Sequence, residues 1–157
     1  MSNTITEHFI KLMPIAKDIK RPLWTVVIPT YNCANYLKET LASVLEQDPG
    51  EAIMEIIVVD DHSTKDDPEA VVKEYGQGRV QLIRQEKNVG KVKNYETGLT
   101  ASRGIYIHQL HGDDFVYNGF YKEMGAIFNR SPIAGAAFCR TNYIDSQSRI
   151  TGVTGMI

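Results

Sequence analysis

Two adjacent carboxylates close an apolar run in this chain: Gly104-Ile105-Tyr106-Ile107-His108-Gln109-Leu110 leads into His111-Gly112-Asp113-Asp114-Phe115. Adjacent anions repel, so such a pair calls for a positive neighbour. A hard divalent cation that also holds phosphate oxygens answers that need, with Asp113 and Asp114 as its ligands and Mn2+ or Mg2+ as the ion. The plainer alternative is that one aspartate caps a helix over residues 117–129 and favours its positive end.

A second acidic pair sits in the same context. Glu55-Ile56-Ile57-Val58-Val59 is apolar and β-branched, the pattern of a parallel strand buried on both faces, and it runs into Asp60-Asp61-His62-Ser63-Thr64. A carboxylate only accepts hydrogen bonds, so Asp60 or Asp61 suits the imide N–H of uracil or the hydroxyls of a ribose. Helix capping explains at most one of the two. A third strand, Trp24-Thr25-Val26-Val27-Ile28, ends in Pro29-Thr30-Tyr31-Asn32. Pro29 and Asn32 shape a turn, and Tyr31 offers a flat face on which a base stacks, worth roughly 1–3 kcal/mol. The alternative for Tyr31 is burial beside Tyr36. Asn88-Val89-Gly90-Lys91-Val92-Lys93-Asn94 opens a helix whose N-terminus, with Lys91 and Lys93, suits a diphosphate; the alternative is a solvated turn with two surface lysines. His62, His108 and His111 do not make a zinc set, because His108 and His111 point to opposite faces of a strand and no cysteine completes the ligands.

These groups need a frame that gathers them. Strands at 24–28, 53–59, 80–83, 105–110 and 136–144 alternate with helices at 35–47, 66–75, 91–102 and 117–129. Pro68 starts and Gly76 ends the second helix. Alternation of this kind predicts an α/β, mostly parallel sheet with right-handed crossovers, and the polar strand ends then share the edge where ligands bind. Residues 5–19 have roughly helical spacing broken by Pro14, and Lys20-Arg21-Pro22 reads as a linker, so residues 1–21 form an extension and 22–157 the domain. Residues 146–157 are Ser/Thr/Gly-rich and show no closing strand.

The 157 residues suffice for one domain with a core, and a formal net charge of −2 argues against a nucleic-acid footprint. No apolar run approaches the ~20 residues of a membrane span, and the N-terminus lacks the basic start and apolar core of a signal peptide. Two cysteines, Cys33 and Cys139, carry neither metal spacing nor a disulfide pattern, so a reducing, cytoplasmic setting is expected.

Residues ~22–150 resemble the N-terminal half of a family 2 glycosyltransferase of the GT-A, Rossmann-like type. The resemblance rests on five blocks in order: Thr25–Asn32, Ile56–Thr64, Asn88-Val89-Gly90, Gly98–Ile107 and Leu110–Asp114. It implies a nucleotide-sugar donor, with UDP as the expected nucleotide, and inverting transfer to a hydroxyl of a carbohydrate or lipid-linked acceptor. Polysaccharide biosynthesis is the setting it suggests, peripheral attachment at the inner face of a membrane is compatible with it, and a homo-oligomer is allowed. Pro29–Asn32 and Asp61 would hold the base, and Asp113 would take the place of the second acid of the D-x-D motif, with Asp114 in support. Three departures stand out. The first acid of that motif is His111. The usual glycine after the upstream acidic pair is His62. The acceptor half and its catalytic base have no counterpart, since Asp145 is the only acid beyond Glu123. The chain therefore reads as a donor-binding half from a truncated reading frame, with a non-catalytic nucleotide-sugar-binding or assembly module as the alternative. A receiver-type phosphoacceptor domain would begin at the Val58-Val59-Asp60-Asp61 strand, and here a full strand and helix precede it.

Overall fold

The computed structural model describes residues 14–16 and 18–155. Most of the expected N-terminal helix, residues 5–13 and 17, falls outside them. The chain forms two compact units, one ending at Asn118 and one running from Gly119.

The first unit is an α/β layer structure. Strands β1 (Trp24–Thr30), β2 (Met54–Asp60), β3 (Val80–Arg84) and β4 (Tyr106–Gln109) alternate with helices α1 (Ala34–Leu45), α2 (Pro68–Tyr75) and α3 (Lys91–Ala101). All pairings are parallel and the order is β3-β2-β1-β4. The sheet thus grows one way from β1 through β2 to β3, and the chain then returns to place β4 on the other side of β1. Right-handed crossovers put α1 and α2 on one face and α3 on the other when the direction reverses. Accordingly α1 and α2 touch each other, whereas α3 packs on β1 and β2. Val27, Ile57 and Val59 face α3 and are fully buried, with Ile83 and Ala101 against them. Their alternating neighbours Val26, Ile28, Ile56 and Val58 are buried on the opposite face, as the pleat requires.

Local chemistry fixes the ends of the elements. Asp67 caps α2 by accepting from the Ala70 amide, with Pro68 in the first turn. Helix α1 has no cap from its own N-cap residue; Asp66 accepts the Ala34 amide at 2.7 Å from across the loops. Arg21 is not a loose linker residue: its guanidinium donates to the carbonyls of Arg103 and Gly104 at the entry to β4.

The second unit holds α4 (Phe120–Arg130) and an antiparallel pair, β5 (Asn142–Ile144) with β6 (Ile150–Val153). This corrects two expectations. Residues 136–141 are not strand, and β5 is not a fifth member of the parallel sheet; residues 150–153 do form a strand. A parallel partner needs a long crossover, but an antiparallel one needs only a turn. Asp145 supplies that turn: its Oδ1 accepts from the amides of Gln147 and Arg149, and its Oδ2 pairs with Arg149 at 2.7 Å. These contacts hold the Asp145 carboxyl below its usual range.

Candidate functional site

The order β3-β2-β1-β4 reverses direction between β1 and β4, and that is where an open α/β sheet opens a crevice at the carboxyl ends of its strands. A cavity of about 430 Å³ lies there. The end of β1 contributes Pro29 and Thr30 and the turn after it Tyr31 and Cys33; β2 delivers Asp61; the start of α3 adds Gly90, Lys91 and Tyr95; and the turn after β4 adds His111, Gly112 and Asp113.

Asp60 and Asp61 are neighbours with opposite fates, because successive side chains leave a strand on opposite sides. Asp60 is fully buried, and its Oδ1 accepts from the Ser63 hydroxyl at 2.6 Å and the Ser63 amide at 3.0 Å. Arg84 lies 3.4 Å from its Oδ2. Asp60 therefore ties down the turn from within and does not line the cavity. Asp61 does. Its two oxygens accept from the Val89 and Gly90 amides at 2.7 and 3.0 Å. The carboxylate thus occupies the amide-rich entrance to α3, and Gly90 makes this possible with φ +86.

Asn32 also turns out to be a strut. Its side-chain oxygen accepts from the amides of Thr64 and Lys65, and its own amide donates to Ser63. Its φ of 52 lies in the left-handed region that asparagine tolerates. His62, standing where the resemblance has glycine, likewise takes φ 61, so the turn keeps a shape suited to glycine; its Nδ1 is 3.1 Å from the Gln85 carbonyl oxygen. Tyr31 is 48% exposed on the cavity wall, which removes the reading of a buried core tyrosine. Lys91 lines the cavity, its ammonium 5.8 Å from the Tyr95 ring centre. Lys93 lines a separate hollow with Gln85, Val89 and Glu96. Two positions apart on a helix is about 200° of rotation, so the two lysines cannot share a face.

The turn after β4 is anchored through Gly112. Its amide donates to Pro29, and its carbonyl accepts from Thr40. A side chain at 112 would meet Cys33 Sγ at 3.0 Å and Thr30 at 3.1 Å. The Asp114 amide donates to the His111 carbonyl, folding the turn back on itself. In consequence one donor atom from each of His111, Asp113 and Asp114 lies within 4.8 Å of the others. Helix α4 starts at Phe120 behind Gly119, so neither aspartate caps it. Desolvation and the Asp113 charge push the Asp114 carboxyl above its ordinary range.

Cys33, Asn94, Tyr95 and His111 were not singled out as binding residues by sequence reasoning. For Tyr95 a signal existed: it stands four residues after Lys91, on the same helical face. Its hydroxyl lies 2.6 Å from His111 Nε2. Burial raises the Tyr95 phenol above its normal value, and the charges of Asp113 and Asp114 add to the effect. Burial also raises the Cys33 thiol.

Comparison with known proteins decides the family. The profile of Glycosyl transferase family 2 matches residues 25–156. The chain belongs to this glycosyltransferase family. It is 33% identical over 142 residues to an uncharacterized glycosyltransferase of Mycoplasma genitalium, covering 86% of this chain and 47% of that protein. It is 34% identical over 118 residues to the hyaluronan synthase of Pasteurella multocida, covering 74% of this chain and 12% of that one. Among solved structures, S. aureus TarS 1-349 in complex with UDP-GlcNAc superposes with a TM-score of 0.63 at 28% identity, over 68% of this chain and 31% of that 1-349 chain. The Pyrobaculum calidifontis mannosyltransferase PcManGT, in complex with GDP-Man and Mn2+, gives 0.62 at 26%, over 69% and 32%. The chain spans less than half the length of these relatives. The GT-A fold expected from the five sequence blocks is the one found. No described helix is long and apolar enough to cross a membrane.

Proposed function

We propose that this family 2 glycosyltransferase domain binds a nucleotide-sugar, with UDP as the nucleotide, in the cavity at the β1–β4 reversal, together with Mn2+ or Mg2+. One observation carries the reading: Tyr31, Asp61, Lys91 and Asp113, widely separated in sequence, line a single cavity. Tyr31 stacks on the base. Asp61 accepts the imide N–H with lone pairs that its two backbone donors leave over, since a carboxylate has about four acceptor positions. Pro29 and Thr30 form the floor beneath the base. Asp60 and Asn32 act at one remove, by fixing the turns that present Asp61 and Tyr31.

The electrostatics favour a cation for the diphosphate. Asp61 already holds the amide-rich entrance to α3, so that end is not open to a second anion. Among the described residues of the cavity wall, Lys91 is the one lysine or arginine set against Asp113 and Asp114, and a diphosphate would meet net repulsion there. The donor set of one imidazole and two carboxylates fits a divalent ion, which when bound would neutralise the leaving diphosphate. Asp113 and Asp114 would hold it, and Lys91 would add its charge.

The expected reaction of the family member as a whole is attack by an acceptor hydroxyl on the anomeric carbon, with inversion and departure of the nucleoside diphosphate. Among the described residues, the carboxylates on the cavity wall are Asp61 and Asp113, each with a role already, and Asp145 is bound into its own turn. None of these is left to deprotonate an acceptor. This favours the second reading for these 157 residues by themselves: donor binding without fast transfer, as in a binding or assembly module. A general base contributes ~10²–10⁴-fold, and loss of acceptor orientation costs more.

Thermal melting tests the donor site. UDP with Mn2+ at about 100 times Kd should stabilise the fold by about 2.7 kcal/mol, and EDTA should remove most of the gain. Unchanged melting with UDP, GDP and their sugars, metal present, would overturn the assignment. UDP release should be slow and independent of acceptor; fast acceptor-dependent release would place a base within the chain after all.

A further inference from the structure

We propose that Tyr95 is a positioning residue for metal binding: by holding Nε2 of His111 it presents the imidazole as a third donor beside Asp113 and Asp114, so that the site selects Mn2+ over Mg2+. This rests on the donor-site reading above and goes beyond it, to the ion and to the residue that sets its choice.

The Tyr95 hydroxyl is 2.6 Å from His111 Nε2, with the ring centres 5.8 Å apart. Nδ1 is then the ring nitrogen left to meet a cation. When Nδ1 coordinates, the ring proton resides on Nε2, where the Tyr95 oxygen accepts it. Metal-ligating histidines characteristically have such a partner, and losing it typically lowers metal affinity 10–100-fold.

Both members of the pair are fixed from behind. Tyr95 follows Asn94, whose buried side chain donates to the Val59 carbonyl at 2.8 Å. His111 precedes the anchored Gly112, and its carbonyl is held by the Asp114 amide at 3.1 Å. Donor atoms about 2.1 Å from a common ion stand at most ~4.2 Å apart, and a ring nitrogen of His111 lies within 4.8 Å of a carboxylate oxygen of each aspartate, so the group as a whole needs only a small closure.

Selectivity follows from donor chemistry. Mg2+ favours oxygen ligands and gives up water reluctantly, whereas an imidazole nitrogen favours first-row transition ions. A histidine in place of the first acid therefore changes the ion the site prefers without abolishing binding.

The test uses the 157-residue chain with saturating UDP. Mn2+ and Mg2+ affinities are measured by calorimetry for wild type, Tyr95→Phe, His111→Asp and the double variant. Electron spin-echo modulation of bound Mn2+ reports whether a nitrogen is coordinated, and melting of the unliganded variants reports folding. Wild type should hold Mn2+ at least ~10-fold tighter than Mg2+ and show nitrogen modulation. Tyr95→Phe should lose ~10–100-fold in Mn2+ affinity and weaken the modulation, with uridine binding unmoved. His111→Asp should abolish the modulation and narrow the Mn2+/Mg2+ ratio, and Tyr95→Phe should have no further effect in that background. A Tyr95→Phe variant that binds Mn2+ as wild type does, or that loses equally in both backgrounds, overturns the proposal while leaving the donor site standing. Absence of metal-dependent UDP binding in wild type overturns both. Should Tyr95→Phe fail to fold, an unchanged Mn2+/Mg2+ ratio or persistent nitrogen modulation in His111→Asp overturns the proposal by itself.

Discussion

The Asp61 carboxylate and the Gly90 amide are 3.0 Å apart, and this contact joins the end of β2 to the start of α3. Val89 donates to the other oxygen at 2.7 Å. The wall on which we place the base and the helix that carries Lys91 and Tyr95 are therefore one hydrogen-bonded piece.

Asp61→Asn replaces one accepting oxygen with a donor that faces a backbone N–H. The expected loss of stability is ~1–3 kcal/mol, read from urea or thermal unfolding. Uridine affinity should fall equally with and without metal, because the contact is a hydrogen bond. Wild-type uridine binding by this variant would remove Asp61 from the base site.

Asp113→Asn separates the metal from the base. UDP affinity in the presence of Mn2+ should drop at least about tenfold, as expected when a metal site loses a charged ligand, while uridine affinity stays put. Calorimetric titration of both ligands checks it, and a parallel loss for uridine would mean that Asp113 touches the nucleoside instead.

Gly112→Ala brings a methyl group against Cys33 and Thr30. Shifting the turn should cost ~1–3 kcal/mol in stability. Because Asp113 rides on that turn, Mn2+-dependent UDP binding should suffer more than uridine binding; equal losses would indicate general damage to the fold.

His108 governs a pH dependence. Burial lowers its pKa from 6.5 to about 4. Above pH 6.5 the ring is neutral in both folded and unfolded chains and costs nothing. As pH falls from 6.5 towards 4, the unfolded chain takes up a proton that the folded chain refuses, so stability is lost over that window, by up to ~3 kcal/mol. Unfolding free energies of wild type and His108→Gln, measured from pH 7.5 to 4, should converge as the pH falls. Parallel profiles would show that His108 is not the group responsible.

Much of this was legible in the sequence for physical reasons. Strands β1 and β2 are buried on both faces and so read as nearly continuous apolar runs ending in polar residues, and those ends are what the cavity uses. Periodicity could also have parted Lys91 from Lys93, since their helical phase is fixed by spacing. Other features lie beyond local pattern. Nothing in the dipeptide Asp60-Asp61 says which acid faces inward; Arg84 on β3 and the Val89-Gly90 amides decide it, from across the sheet. Asn32 looks like a ligand residue until Thr64 and Lys65 take its side-chain oxygen. The β5–β6 pairing escaped because β6 is short, interrupted by Gly152 and largely exposed, so it has no alternating apolar face to reveal it.

The strand order has a bearing on how the chain must be made. Strand β1 is one of the two inner strands, yet one of its two partners, β4, lies some eighty residues downstream. While the chain leaves the ribosome, β1, β2 and β3 can pair in turn, but the far side of β1 keeps its backbone groups unpaired until Tyr106–Gln109 has been synthesised. An apolar strand with an open edge is a template for pairing with other chains. Released chains cut before residue 106 should therefore self-associate more than chains that run beyond Asn118, with the long wait for β4 setting the slowest step in forming the sheet.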